Sequence, residues 1–463
     1  MNNSSCRRLK RSFLVISLSG LVVGQLPGCG GNGSKGGSGS GGSSQRNSGG
    51  YTGSGGNTVT GGSQGSGGTS ASGGVVGSGG VVGSGGKTGS GGATGSGGTT
   101  SFDAGFSASD VPLNDKYLVA MVQSSKANST DLTTEDVADL VGSAVRQAGG
   151  LDFIKAGQTV VLKPNLVTAY TDHYQRSPAD LTVNGLATDW RVVKAVADLV
   201  RAQVGSAGKI LVMEGSTMST VTAYSKLGYT NTNISAVDEF IAIEGTSCSD
   251  RTTTALVQKT GKSGTQYWVN KRYVEADIVI SVPTLKTHSS AGITGSVKNL
   301  GIGTTPIGQF SGSGGVAGDC TRSKTAGANS IDHSTPETLG AFIRDYYSIR
   351  PADFAVVDGL QGIQHGPSPA FDPKPGDAGG FWDYAPARMN MRLILAGRNP
   401  VAVDTVEALV MKCDPTKVPH LTKLEADGLG TTDISQINLV GAQIAEVAKP
   451  FACKVTDICP AAP

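Results

Sequence analysis

Short apolar runs and longer amphipathic segments alternate along the chain from about residue 117 onward. The runs YLVAMVQ, TVVLKPN, KILVMEGS, ADIVISVP, DFAVVDG and MRLILAG are rich in Val, Ile and Leu and have the length of β-strands. The segments TEDVADLVGSAVRQAGG, DWRVVKAVADLVRAQV, VTAYSKLGY and PVAVDTVEALVMKC are typical of helices. Strands that are apolar throughout are buried on both faces, as parallel strands with helical crossovers are. The pattern therefore predicts an α/β fold, with a mainly parallel sheet and helices on both faces.

Two segments depart from this alternation. Residues 241–274, IAIEGTSCSDRTTTALVQKTGKSGTQYWVNKRYV, lack helical periodicity and are predicted to form a small antiparallel insertion. Residues 304–334 are glycine-rich with few apolar positions, which predicts a long loop beside the functional site.

Residues 29–110 are predicted to be a disordered Gly/Ser-rich tether. Between Gly30 and Thr100 the chain is almost only Gly, Ser, Thr and Asn, and 32 of its 69 glycines fall there. Such a segment cannot bury enough apolar surface to offset its ordering entropy. The repeated hexamers, such as GSGGVV and GSGGKT, are typical of a flexible linker. The folded domain is therefore expected to span residues 111–463.

The first 28 residues resemble a lipoprotein signal peptide. A basic region precedes the apolar run FLVISLSGLVVG, and the lipobox-like LPGC ends at Cys29, which would carry the lipid. An ordinary secretory signal and a twin-arginine signal, suggested by LKRSFLV, are the alternatives. Gly30 is not the aspartate that retains bacterial lipoproteins at the inner membrane. We therefore expect a membrane-anchored protein of the bacterial cell envelope, on the outer membrane or cell surface rather than the inner membrane.

The charge distribution argues against nucleic acid as a partner. The first 100 residues contain seven Lys or Arg and no acidic residue, so a formal net charge of +2 leaves about −5 on the rest. A domain of negative net charge gives no support for nucleic-acid binding.

The cysteine pattern predicts one short disulfide loop and excludes some metal centres. No CxxC occurs, so we expect no iron–sulfur cluster and no zinc ribbon. Cys453 and Cys459 are predicted to pair in an oxidising compartment. That pairing would close a loop near the C-terminus.

Charged and polar residues follow five of the apolar runs. In open α/β sheets, ligands bind beyond the carboxyl ends of the strands, so these residues are candidates for a binding site. Each also has a structural interpretation: the carboxylates can cap helices and the asparagines can cap turns. The candidates are Lys163, Asn165, Glu214, Lys286, His288, Lys298, Asn299, Asp358, Arg398, Asn399 and Asp404.

The stretch ISVPTLKTHSSAGITGSVKNLGIG carries the most specific chemistry. Lys286 and Lys298, together with a possible helix N-terminus after GITGS, favour a carboxylate or phosphate ligand. His288 could exchange a proton with that ligand near neutral pH, with Lys286 and Asp358 as further catalytic candidates. The sequence contains no P-loop, GxGxxG, GxSxG or HExxH motif that would name a reaction.

Other residues have weaker claims to a role. A divalent metal is possible, because Glu214, Asp358, Asp404 and His288 are suitable ligands, but no spacing enforces a metal site. Among the other histidines, those at positions 333 and 365 are secondary candidates, and those at 173 and 420 are interpreted as ordinary loop residues.

The motifs VVLKPNLV, ADIVISVPTLKTHSSAGITGSVKNLGIG, FAVVDGLQGIQHGPSP and LILAGRNPVAVDTVEALVMK resemble, in this order, the domain of unknown function 362 family. The resemblance covers residues 116–441. It implies no settled reaction, and the cluster modules fused to some members are absent here. The family motifs fall on Lys163, Asn165, Lys286, His288, Lys298, Asn299, Asp358 and Asp404.

Two functions remain open at this point. The domain could be an enzyme that transforms a small anionic substrate, with lysines holding it and His288 as acid or base. It could equally be a non-catalytic, surface-tethered protein that binds such a ligand. The first function requires His288, whereas the second should tolerate a neutral hydrogen-bonding replacement there.

Overall fold

A computed structural model describes six ranges of the chain: residues 116–166, 185–215, 220–243, 256–306, 331–367 and 387–461. The predicted signal peptide, the tether, Cys29 and His173 lie outside these ranges, as does most of the predicted loop at 304–334. Within the described ranges, no helix is long and apolar enough to cross a membrane.

The predicted apolar runs form the strands of one sheet. In the described residues this sheet has ten strands, and a separate hairpin has two. The strands are β1 Leu118–Gln123, β2 Thr159–Pro164, β3 Lys209–Glu214, β4 Glu239–Ala242, β5 Leu256–Thr260, β6 Gln266–Asn270, β7 Ile278–Val282, β8 Thr284–His288, β9 Gly292–Ile293, β10 Phe354–Ile363, β11 Arg388–Gly397 and β12 Asn438–Gly441.

The sheet is mostly parallel, as predicted. Its order is β12-β1-β11-β10-β7-β2-β3-β4, with β8 beside β10 and β9 beside β8. Strands β10, β7, β2, β3 and β4 run parallel to one another. Strand β11 is antiparallel to both of its neighbours, β1 and β10. Its run MRLILAG is apolar because helices cover the sheet, and an apolar run reports burial rather than strand direction.

Helices cover both faces of the sheet. They are α1 Thr134–Gln147, α2 Trp190–Val204, α3 Thr220–Lys226, α4 Lys271–Val274, α5 Gly295–Gly303, α6 Pro336–Tyr347, α7 Pro400–Val410, α8 Pro419–Ala426 and α9 Ile444–Val447. Alternate strand residues pack in two separate cores: Val160 and Leu162 face one, and Val161 faces the other. The first core includes residues of α1, α2 and α3, and the second includes residues of α5 to α8.

The antiparallel insertion is present, but it is shorter than predicted. Strands β5 and β6 pair antiparallel as a two-stranded hairpin. Ile241 and Ala242, at the start of the predicted insertion, instead belong to β4, which extends the main sheet parallel to β3.

The predicted Cys453–Cys459 disulfide is wrong. Cys459 pairs with Cys413, which follows α7, and Cys453 is a buried free thiol. A backbone hydrogen bond of 2.7 Å from Asp414 N to Ile458 O brings the bonded cysteines side by side. The Cys453 Sγ instead donates to the His288 carbonyl at 3.3 Å. Sequence proximity therefore misled, because the C-terminal segment packs on residues that are distant in the chain.

Candidate functional site

The sheet changes its direction of growth between β2 and β7. From β2 the chain continues through α2 to β3 and then β4 on one side, whereas β7 and then β10 add to the other side of β2. A crevice at the carboxyl ends of the strands is expected where the strand order reverses. Lys163 and Asn165 lie at the carboxyl end of β2, and β8 and α5 follow β7. The topology therefore places most of the predicted residues at this switch point.

Helix α5 is buried along its whole length, and Asp404 of α7 holds its N-terminus. The two oxygens of Asp404 accept hydrogen bonds from the backbone N–H groups of Ser296 at 2.6 Å and Val297 at 2.8 Å. Gly295 has φ 61°, and a Cβ at this residue would lie 2.5 Å from Asp404 Oδ2. Burial raises the pKa of Asp404 to about 7. Asp404 thus anchors α5, and it occupies the helix N-terminus that the sequence had suggested for an anion.

Lys163 and Glu214 form a fully buried ion pair. Lys163 Nζ lies 2.9 Å from Glu214 Oε2 and also donates to the Pro164 carbonyl at 2.6 Å. Burial lowers the pKa of Lys163 and raises that of Glu214, while their mutual attraction opposes both shifts. A Cβ at Gly303 would lie 2.6 Å from Lys163 Nζ, so the close approach of α5 to this pair requires glycine.

Two asparagines extend this pair into a network that reaches Lys286. Asn299 of α5 accepts from Lys163 Nζ at 3.3 Å and from Asn165 Nδ2 at 3.2 Å. Asn165 Oδ1 in turn accepts from Lys286 Nζ at 2.8 Å. Lys286 also donates to the Leu186 carbonyl at 2.7 Å. Residues from β2, β3, β8 and α5 therefore share one buried hydrogen-bond network, which we call the closed network: Lys163, Asn165, Glu214, Lys286 and Asn299.

Lys298 lies in the same region but outside this network. Its side chain is buried, and no hydrogen bond or ion pair joins it to another residue in the described ranges. Burial and the charge of Lys163 lower its pKa to about 7. Burial and the charge of Lys298 likewise lower the pKa of Lys286 to about 7. Each of these two lysines therefore gains or loses its proton near neutral pH.

His288 is the last residue of β8. The sequence had suggested that it lies in a loop. Its Nδ1 accepts hydrogen bonds from the backbone N–H groups of Ser290 at 3.1 Å and Ala291 at 3.2 Å. Burial and the charge of Lys298 lower the pKa of His288 well below its ordinary value. Near neutral pH the ring is therefore neutral, and its hydrogen is on Nε2. The ring of the exposed residue His333 lies 6.1 Å from the His288 ring, centroid to centroid.

Asp358 belongs to a different set of contacts. It lies within β10 and accepts hydrogen bonds from the backbone N–H groups of Asp189 at 2.8 Å and Leu360 at 3.1 Å. Asp189 caps α2 and pairs with the buried Arg191 at 2.7 Å. Burial and the neighbouring Asp189 raise the pKa of Asp358 to about 7. The hydrogen bonds of Asp358 are thus those of a residue that holds the start of α2, and none of them reaches the lysines.

Two further predicted candidates, Asn399 and Arg398, make structural contacts instead. Asn399 caps α7 by accepting from the backbone N–H of Ala402 at 3.0 Å. The guanidinium of Arg398 lies over the ring of Phe153, 4.1 Å from its centroid.

Sequence reasoning missed two buried polar residues near the lysines. Glu407 lies one helical turn after Asp404 on α7, and His420 lies on α8. Both are fully buried, and among the described residues neither the Glu407 carboxyl oxygens nor the His420 nitrogens have a hydrogen-bond partner. A Glu in the otherwise apolar helix PVAVDTVEALV could have been noticed. The interpretation of His420 as an ordinary loop residue is wrong, because it lies in α8 and is fully buried.

The described residues contain no group of three or more His, Cys, Asp and Glu side chains that could hold a metal. Three of the suggested ligands are engaged elsewhere: Glu214 with Lys163, Asp358 with backbone N–H groups, and Asp404 with α5. A separate surface cavity of about 520 Å³ is lined by residues such as Tyr267, Asp345 and Asp427, and includes none of the predicted site residues.

Comparison with known proteins gives a family and little more. A family model described as Domain of unknown function (DUF362) matches residues 160–408, which is more than half of the 463-residue chain. No curated protein matches. Among solved structures, the lactate racemase apoprotein from Thermoanaerobacterium thermosaccharolyticum aligns with a TM-score of 0.32 and 12% identity, covering 64% of this chain and 58% of that one. At that TM-score the likeness carries no argument about function.

Proposed function

This chain belongs to the DUF362 family, and we propose that its α/β domain binds a small anionic molecule, a carboxylate or a phosphate, beside the switch point of its sheet. The observation that carries this proposal is the state of Lys298. It is buried beside two other lysines, and it has no hydrogen-bond or ion-pair partner in the described part of the chain. A buried ammonium group is costly unless a partner compensates it. A bound anion would supply that partner.

The charges around Lys298 support the same proposal. Of the three lysines, Lys163 is compensated by Glu214 at 2.9 Å. Lys286 is hydrogen-bonded to an amide oxygen and a carbonyl oxygen, which carry no net charge. An anion near Lys286 and Lys298 would therefore meet two cations that have no ionised carboxylate in contact. Positive potential concentrated in this way favours anion binding even though the domain is negative overall.

Replacing Lys298 tests this function. Lys298→Met should lower the affinity for acetate or inorganic phosphate by about 10- to 100-fold, the scale of one charge-assisted hydrogen bond. Isothermal titration calorimetry on the folded protein measures the change. Lys259→Met, on the exposed hairpin strand β5, is the matched control and should bind as wild type does. Equal affinities in wild type and Lys298→Met would refute the proposal.

Acid–base chemistry on the bound anion is the second candidate function. It is favoured by Lys286 and Lys298, whose pKa values of about 7 suit groups that give and take protons near neutral pH. Lys298→Arg separates the two functions, because arginine keeps the charge but cannot release its proton. Mass spectrometry of molecules that co-purify with the protein would identify the ligand. In Lys298→Arg the ligand should still bind under either function. If the protein is an enzyme, the variant should also lose the conversion of that ligand to product.

We further propose that the protein is exported and anchored to a bacterial membrane through lipidated Cys29, on the outer membrane or cell surface. Support comes from the basic and apolar regions before LPGC and the glycine-rich segment after it. Cys29→Ser should move the protein from the membrane fraction to the soluble fraction. Intact-mass analysis of the wild type without an acyl chain would refute the anchor.

A further inference from the structure

His420 has no structural partner to account for its burial. It lies on α8 with its side chain fully buried, and neither ring nitrogen makes a hydrogen bond within the described part of the chain. A neutral imidazole carries one N–H donor and one acceptor, and both are costly to leave unpaired in an apolar interior. Each buried group of this kind in a native protein calls for an explanation, of which a missing ligand is one.

The charged group that affects the pKa of His420 is Lys298, which likewise has no hydrogen-bond or ion-pair partner in the described residues. Helix α8 packs against α5, which carries Lys298. Burial and the charge of Lys298 lower the pKa of His420 to about 3, so its ring is neutral. The same lysine lowers the pKa of His288 and of His333. We call Lys298, His288, His333 and His420 the open cluster, because no hydrogen bond joins any two of them.

The open cluster is rich in donors and lacks a shared acceptor. A protonated Lys298 can only donate. His288 Nδ1 already accepts two backbone hydrogen bonds, so its other nitrogen is a donor. His420 adds one more N–H. Helix α5, which carries Lys298, packs against both β8 and α8, so these donors can share one acceptor that has several oxygens.

We propose that Lys298, His288 and His420 bind the phosphate group of a dianionic ligand, either inorganic phosphate or a phosphate monoester, and that Lys286 supplies the second positive charge. This inference rests on the proposed anion-binding function and narrows its ligand. Phosphate presents its oxygens in several directions, whereas a carboxylate presents two oxygens in one plane. The N-terminus of α5 is not part of this site, since Asp404 already accepts its N–H groups.

The charge balance favours a dianion over a monoanion. Lys286 uses its ammonium group on Asn165 and on the Leu186 carbonyl, which leaves one of its three N–H donors for a ligand. Glu407 is the carboxyl group next to Lys286, but burial and Asp404 raise its pKa well above the ordinary value. The pKa values of Lys286 and Lys298 lie near 7, and a bound dianion would favour the protonated form of both lysines.

The test compares three probes on the wild-type protein by isothermal titration calorimetry at pH 7: inorganic phosphate, acetate and malonate. We expect phosphate to bind about 10- to 100-fold more tightly than acetate, the scale of one additional charge-assisted hydrogen bond. Acetate or malonate binding as tightly as phosphate would overturn the phosphate assignment and leave the anion-binding function standing. Failure of all three probes to bind would overturn both.

His420→Phe isolates the new residue, because it removes the ring nitrogens and keeps most of the volume. We expect phosphate binding to weaken by at least about tenfold and acetate binding to change little. Tyr224→Phe is the matched control, since it removes a buried polar group whose partners are the Val212 and Ile241 carbonyls. Unchanged phosphate affinity in His420→Phe would overturn the role of His420. Should that variant fail to fold, His420→Gln and the wild-type probe comparison decide the question.

Discussion

Lys163 and Lys298 lie in the same buried region, yet their surroundings are opposite. Lys163 in the closed network has an ion pair with Glu214 and hydrogen bonds to Pro164 and Asn299. Lys298 in the open cluster has no such contact in the described part of the chain. Glu214 Oε1, in the closed network, has no hydrogen-bond partner among the described residues. The other lysine of this network, Lys286, is hydrogen-bonded to two uncharged oxygens.

The difference in hydrogen-bond and ion-pair partners distinguishes residues that position the site from residues that are available to bind a ligand. A buried charge with a full set of partners holds strands and helices in register, and removing one partner is strongly destabilising. A buried charge without partners weakens the folded state, and proteins keep such features mainly at functional sites. We therefore assign the closed network to positioning and the open cluster to binding, and Lys286 of the closed network takes part in both.

The largest expected effect comes from breaking the closed network at Lys163. Lys163→Met leaves the Glu214 carboxylate buried without its cation, which should cost about 3–5 kcal/mol of unfolding free energy. Urea unfolding followed by circular dichroism measures the loss. The double variant Lys163→Met/Glu214→Gln removes both charges and should recover more than half of it. Lys163→Met as stable as wild type would show that the Lys163–Glu214 pair does not stabilise the fold.

The Cys413–Cys459 disulfide should stabilise the domain on the side of the open cluster. It ties the end of α7 to the C-terminal segment, whose Cys453 contacts the His288 carbonyl. Cys413→Ser should lower the unfolding free energy by about 2–4 kcal/mol under oxidising conditions. Cys453→Ser is the control and should retain the disulfide. Peptide mapping without reductant that links Cys453 to Cys459 would contradict the pairing described here.

Lys298→Met should act in the opposite direction to Lys163→Met. Replacing an uncompensated buried charge by an apolar side chain is expected to stabilise the ligand-free domain by about 1–4 kcal/mol. The folded pKa of Lys298 is depressed to about 7 from 10.5. The unfolded chain therefore binds more protons between these values, and wild-type stability rises with pH across that window. Thermal unfolding from pH 7 to pH 10 should show a smaller rise in Lys298→Met. A lower melting temperature in Lys298→Met than in wild type at pH 7 would contradict the conclusion that Lys298 is an uncompensated charge.

The smallest effect, counted per pH unit, is the pH dependence of anion binding. Sulfate keeps its double charge between pH 6 and pH 9, so only the protein titrates. Because Lys286 and Lys298 lose their protons above about pH 7, sulfate affinity should fall as pH rises, by up to roughly tenfold per pH unit for each lysine. Lys259→Met should give the same profile as wild type. Affinity that is constant from pH 6 to pH 9 would place the charged lysines outside the binding site.

The fold was predictable because burial leaves a periodic signal. The run KILVMEGS, for example, predicts β3 and its buried end, and the polar residues that follow parallel strands are expected at one edge of the sheet. This reasoning located Lys163, Glu214 and Lys286, which the structure brings into one network. It could not give the direction of β11, because an antiparallel strand covered on both faces is equally apolar.

Hydrogen-bond partners were beyond the reach of the sequence. Asp358 and Asp404 follow the same pattern as Glu214, yet they hold backbone N–H groups of α2 and α5, whereas Glu214 holds a lysine. The same limit explains the wrong disulfide and the neglect of His420. Each depends on which distant segment packs alongside, and local pattern carries no information about that.

The sequence by itself thus determined the alternation of strands and helices, the family and the chemical type of the residues at the sheet edge. Only the tertiary structure decided which of those residues are compensated. The reason is physical: periodicity and residue type are properties of neighbours along the chain, whereas the free energy of a buried charge depends on partners within a few ångströms in space. Lys163 and Lys298 have the same side chain, and only their surroundings differ.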